Sequence, residues 1–111
     1  MHPINLRTEA ANVGLFEYKE LGRMNGHSLT LIKATAATLD FHAHPDSDEV
    51  FLVVEGEMKL EFEDRIVPLK AGELCIVPKG VRHRPIVETA VTNLLIEQAG
   101  TLTTDNTLQK P

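Results

Sequence analysis

The chain has 111 residues, of which 42% are apolar and 24% charged, with one cysteine, five histidines and a formal charge of −5. That length is one domain, able to bury roughly two thirds of its unfolded surface without staples. One cysteine excludes an internal disulfide framework and a cysteine-rich zinc module, and the acidic balance argues against nucleic acid, since no basic stripe exists to neutralise phosphates.

The first residues, Met1 to Arg7, contain no apolar signal-peptide core. The longest clean apolar run, Val50–Val54, falls far short of the roughly 20 residues of a membrane helix. A soluble cytoplasmic domain with no membrane partner is the expectation. Leu6–Asn12 reads as one or two helical turns, with Thr8 as N-cap and Glu9 in the first turn. From Leu29 onward, short apolar runs follow one another at hairpin spacing: 29–34, 38–44, 49–54, 58–63, 66–69, 74–77, 84–87 and 91–97. Turn residues separate them, among them Asn25-Gly26, Pro45-Asp46-Ser47, Glu55-Gly56, Ala71-Gly72 and Lys79-Gly80. Seven or eight strands without a long helix predict an all-β sandwich or barrel. The polar stretch Thr101–Pro111 is expected to lie loose or draped on the surface.

Two kinds of strand are visible. Met58–Glu63 alternates, with Met58, Leu60 and Phe62 facing inward. Val50–Val54 and Leu74–Val77 are apolar on both faces and need cover on both. In a one-domain barrel the outer cover is a terminal segment or a second subunit, which predicts a homodimer.

The run Thr38–His44 carries the chemistry. Alternation places Leu39, Phe41 and Ala43 on one face and His42 and His44 on the other. Glu49 follows a Pro-containing turn and can stand beside the pair, and His83 opens a later strand after Pro78–Arg82. Neutral imidazoles with one carboxylate suit a divalent transition metal. Four protein ligands leave positions for water or substrate. The pair His42/His44 alone is weak; the combination is not.

The segment His42-Ala43-His44, Glu49, Gly56 resembles the first motif of the cupins, and Gly72, Pro78-Lys79-Gly80, His83 resembles the second. The gap between Gly56 and Gly72 is 15 residues, as in small single-domain cupins. The resemblance covers about residues 27 to 100. It implies a double-stranded β-helix, or jelly-roll, barrel over residues 27–100. Residues 1–26 would then form an N-terminal arm with a short helix or strand, and 101–111 a polar tail. It also implies His42, His44, Glu49 and His83 as ligands of one divalent transition ion, with Zn, Fe, Mn, Ni, Co and Cu all open. Gly56 and Gly72 are implied as turn glycines. Ala36 stands where the first motif usually opens with glycine, and Val87 where the second often ends in asparagine, which makes the barrel mouth more apolar.

The remaining candidates are weaker. His2 and His27 read as loop residues, and Cys75 as a small buried hydrophobe rather than a nucleophile. Lys33 either snorkels to the barrel rim or serves as a pocket cation. Arg82 and Arg84 flank His83 and point away from it, although an anion-binding role for Arg84 stays open. Two functions follow. The first is a metal-dependent enzyme on a small oxygen-rich metabolite, of isomerase, epimerase or dioxygenase type; small cupins of this kind are often called mannose-6-phosphate-isomerase-like. The second is a non-enzymatic module that binds or senses a metal or small ligand.

Overall fold

The computed structural model describes residues 1–110. One short helix, α1 (Leu6–Asn12), precedes eight strands: β1 (Tyr18–Met24), β2 (His27–Ala34), β3 (Ala37–Thr38), β4 (Glu49–Phe62), β5 (Ile66–Lys70), β6 (Leu74–Val77), β7 (His83–Val87) and β8 (Val91–Gln98). They form one curled antiparallel sheet in the order β1-β2-β8-β4-β7-β3, with β5 and β6 also pairing to β4. The all-β barrel and the short helix are as the sequence predicted.

Asn5, not Thr8, caps α1: its side chain accepts a hydrogen bond from the Thr8 amide at 3.0 Å. Thr8 sits at the third helical position, whose N–H is the one an Asn cap satisfies. Beyond α1, Val13 joins Leu31 and Leu94 in a small buried cluster on the outer face of β2 and β8, with Leu6, Leu52 and Val54 packed around it. The N-terminal arm therefore covers part of the outer face that the two-sided strands required. Leu74 and Ile76, on β6, remain more than half exposed.

The strand β4 organises the rest. Two expected strands, 49–54 and 58–63, are one continuous strand of 14 residues. Its first half pairs with β6 and β8, its second half with β5 and β7. Gly56 is thus a bend within β4 rather than a turn. Its φ is +83°, and a Cβ there would overlap the carbonyl oxygen of Ala90. Only glycine allows both the left-handed conformation and the close approach of the segment leading into β8. Inward-facing Phe51, Val53, Met58, Leu60 and Phe62 of β4 meet Ile32, Leu69, Val77, Val87 and Leu95 in the main core.

Two expectations fail outside the sheet centre. The run Thr38–His44 is not a continuous strand: β3 stops at Thr38, opposite Ile86, and pairing resumes only as a bridge between His42 and His83. Three residues, Leu39 to Phe41, face two, Arg84 and Pro85, so the register cannot continue, and Pro85 has no N–H to give. Of the two expectations for the tail, loose or draped on the surface, the loose one fails. Thr107 and Leu108 are buried, Leu108 within the main core, and the Tyr18 hydroxyl accepts a hydrogen bond from the Leu108 amide. Leu102 and Leu108 supply the apolar contacts that a tail read as polar was not expected to have.

Candidate metal centre

Each candidate ligand is placed by backbone pairing. His42 and His83 exchange two backbone hydrogen bonds, of 3.0 and 2.9 Å. The His44 carbonyl accepts from the Gly80 amide at 2.9 Å, which ties the loop before His83 to the histidine pair. Glu49 is the first residue of β4, opposite Val77 on one side and Glu97 on the other. The loop 45–48 is fixed in turn, because Asp48 accepts from the Lys79 amide and Ser47 from the Gln98 amide.

These constraints bring all four predicted ligands together. The three imidazole centroids lie 4.6 to 5.5 Å apart. His83 and Glu49 are buried, at 0% and 3% exposure, as is His44, while His42 is half-buried. His83 Nε2 stands 3.0 Å from Glu49 Oε1 and His44 Nε2 stands 3.2 Å from the same oxygen. Burial alone would raise the Glu49 carboxyl, but its contacts with His44 and His83 outweigh that and hold it well below the usual carboxylate range, so it is an anion. Burial lowers the His42 imidazole, favouring its neutral form.

The hydrogen bonds on the far side of the rings decide what faces inward. His42 Nδ1 lies 3.0 Å from the Asp40 carbonyl, and His83 Nδ1 lies 2.8 Å from the Val81 carbonyl. A carbonyl only accepts, so each Nδ1 carries the hydrogen, and in the neutral ring each Nε2 then presents a lone pair. For His83 that lone pair meets a carboxylate oxygen at 3.0 Å. Two acceptors face one another there unless a proton or a cation lies between them. His44 Nε2 is buried and, though near Glu49, out of line for a hydrogen bond. Donors about 2.1 Å from one ion and at right angles to each other stand about 3.0 Å apart, so the spacing and the donor chemistry both fit a metal ion. His42, His44 and His83 each offer a ring nitrogen within 4.8 Å of the others, and this group could hold one.

A second group with the same spacing is His44, Glu49 and Glu97, and Glu97 was missed in the sequence. It is 1% exposed, and both carboxylate oxygens lack a hydrogen-bond partner. Burial, and then the adjacent Glu49, push it up to about 10. Its signal was its phase: Val91, Asn93, Leu95 and Glu97 share the inner face of β8, so a carboxylate stands in line with core residues.

A cavity opens beside His42 and Glu49, walled by Ile32, Phe51, Val87 and Leu95, with Leu102, Asn106 and Leu108 of the C-terminal segment also lining it. The free space is ≈ 20 Å³, about one water. No lysine or arginine lines it. Its polar groups besides His42 and Glu49 include Asn93, whose Oδ1 is buried without a partner, and Tyr18, which burial pushes up to about 12. Val87 lines it, in keeping with an apolar mouth.

Other predicted candidates lie elsewhere. Lys33 alternates with the inward-facing Ile32 and Ala34 and so sits on the outer face of β2; it does not line the cavity. Arg84 pairs with Glu61 at 2.8 Å and covers the Phe41 ring at 4.7 Å; it does not line the cavity either. Cys75 is part-buried against the core, where burial raises its thiol. His2 and His27 lie outside the cluster, and both are exposed.

A curled antiparallel sheet that brings three imidazoles together defines a small barrel protein with a side-chain group that could hold a metal ion. The family model described as the cupin domain matches residues 29–96, and the chain belongs to the cupin family. It is 38% identical over 78 residues to the uncharacterized protein YdbB of Bacillus subtilis, a match that covers 69% of this chain and 68% of that one. It is 30% identical over 80 residues to the 3-hydroxyanthranilate 3,4-dioxygenase of Xanthomonas campestris pv. campestris, covering 68% of this chain; it spans only 45% of that enzyme's length. Among solved structures, a cupin-2 domain containing protein from Shewanella frigidimarina superposes with a TM-score of 0.77 at 31% identity, covering 84% of this chain and 91% of that one. No helix is long and apolar enough to cross a membrane among the described residues.

Proposed function

We propose that the protein is a metal-dependent enzyme that holds one divalent transition ion through His42, His44, Glu49 and His83 and oxidises a small, phosphate-free aromatic ligand with dioxygen. The observation that carries this reading is the inward set of imidazole lone pairs beside Glu49, next to an apolar cavity without a cation. A sugar phosphate would bring about two negative charges into a space with no lysine or arginine to meet them, which disfavours the isomerase alternative. The dioxygenase relative acts, by its name, on an aromatic ring with adjacent amino and hydroxyl groups, and such a ring suits these walls better.

When bound, the ion supplies Lewis acidity and, if it is iron, electron transfer to oxygen. The chain's own residues do the rest. Asp40 and Val81 carbonyls fix the ring orientations of His42 and His83. Ile32, Phe51 and Leu95 exclude water from the reacting ring. Tyr18 keeps its proton at neutral pH and can donate it in a hydrogen bond, while Asn93 Oδ1 accepts one from the ligand. Leu102 and Leu108 must draw back for a ring to enter.

The test is oxygen uptake by iron(II)-loaded protein given 2-aminophenol, set beside interconversion of mannose and fructose 6-phosphates. Uptake that disappears in His42→Ala is expected. Isomerisation of the sugar phosphates would overturn the reading. Ligand binding without oxygen uptake would favour the second reading, a non-enzymatic binding module. We also propose a cytoplasmic homodimer. The exposed Leu74 and Ile76 of β6 would be covered by a second copy. A monomeric mass by light scattering at micromolar concentration would contradict the dimer.

A further inference from the structure

We propose that Glu97 is a fifth protein ligand of the metal, so that the centre has three imidazoles and two carboxylates and keeps one position for an exogenous ligand. This rests on the reading that His42, His44, Glu49 and His83 hold the ion. Glu97 lies directly across from Glu49 on the neighbouring strand β8. One of its oxygens falls within 4.8 Å of the ligand atoms of both His44 and Glu49. The side chain is 1% exposed, and neither oxygen has a hydrogen-bond partner. No lysine or arginine forms an ion pair with it among the described residues. Such a buried acid keeps its proton when no cation is near, and a dication held beside it would take the proton's place.

Charge points the same way. A dication with Glu49 alone leaves a net positive charge among Phe51, Phe62 and Leu95. The second carboxylate brings the centre to zero, the state a low-dielectric interior tolerates best. The backbone is set for this role: the Gln98 amide next to Glu97 donates to Ser47 Oγ, which fixes the end of β8 against the loop after His44. Five protein donors exclude the four-coordinate geometry that zinc prefers and suit a six-coordinate ion such as iron(II), manganese(II) or cobalt(II). A substrate or dioxygen would then occupy the one remaining site.

Cobalt(II) titration of Glu97→Gln tests this, with affinity and visible absorption both recorded. Glutamine keeps the shape and can donate a hydrogen bond as a protonated acid does, but it cannot supply the anionic oxygen. The expected result is an affinity about tenfold or more lower, together with a changed absorption band, because the coordination number falls. Glu97→Asp, which keeps the charge, should retain more affinity than Glu97→Gln. Thermal melting of the metal-free variants checks that each is folded. An unchanged cobalt spectrum in Glu97→Gln, whether or not affinity falls, would overturn the proposal, since Glu97 would then act only through Glu49. If the parent protein takes up no cobalt, or His83→Ala binds it as the parent does, the four-ligand reading fails first and the fifth ligand with it.

Discussion

Replacing Gly56 with alanine tests how one strand serves both halves of the barrel. Gly56 and Gly72 have nearly the same backbone conformation, with φ of +83° and +87°. Placing an alanine in that left-handed region costs about 1–2 kcal/mol at either site. The surroundings differ. Nothing lies within 4 Å of a Cβ at Gly72, whereas at Gly56 a Cβ overlaps the Ala90 carbonyl oxygen and stands 3.1 Å from Val91 Cα. Relieving that overlap requires a backbone shift, for which overpacking of a tight core gives about 1–3 kcal/mol. Gly72→Ala should therefore lose about 1–2 kcal/mol and Gly56→Ala about 2–5 kcal/mol. Urea unfolding, read as a shift in midpoint at constant slope, measures both. Equal losses would refute the claim that close packing against the entry to β8 fixes the bend in β4.

Ala36 should respond in the opposite direction. Its φ of +48° puts an alanine in the left-handed region, and Ala36→Gly should stabilise by about 0.5–1 kcal/mol, the relief of strain exceeding the added chain entropy. A loss in urea unfolding would contradict the strain. Metal affinity should fall on acidification, because protons compete for the ligand imidazoles. Burial lowers His42, so it stays neutral to a lower pH than an exposed histidine would. An affinity flat between pH 5 and pH 8 would rule out imidazole ligation. Asn93→Leu removes a buried oxygen that has no partner. It should raise stability by about 1 kcal/mol in urea unfolding, leave metal content unchanged and weaken 2-aminophenol binding. Unchanged ligand affinity would remove Asn93 from the binding site.

The strands and the clustering of His42, His44, Glu49 and His83 were legible because their signals are local. Apolar runs between turn residues mark strands, and the paired motifs around His42–Gly56 and Gly72–His83 carry the cluster. What escaped depends on long-range placement. β1, with Tyr-Lys-Glu-Leu-Gly-Arg-Met, lies in the arm expected to hold a short helix or strand, but its charges hide its bounds, which its pairing with β2 settles. Alternation failed along Thr38–His44, where the extra residue opposite Arg84 and Pro85 turns Leu39 inward with the histidines. Glu97 looked like the polar end of an apolar strand, and only its partner Glu49 across the ladder shows what it faces. Lys33 was ambiguous because face cannot be assigned until β1 and β8 are placed beside β2.

The most direct measurement of the central claim is the metal content, by elemental analysis, of the protein and of His83→Ala after equilibration with iron(II) or cobalt(II) and removal of free ion. The convergence of His42, His44, Glu49 and His83 predicts one ion per chain in the parent and a near-complete loss in the variant. Equal metal in both, or none in either, would contradict it.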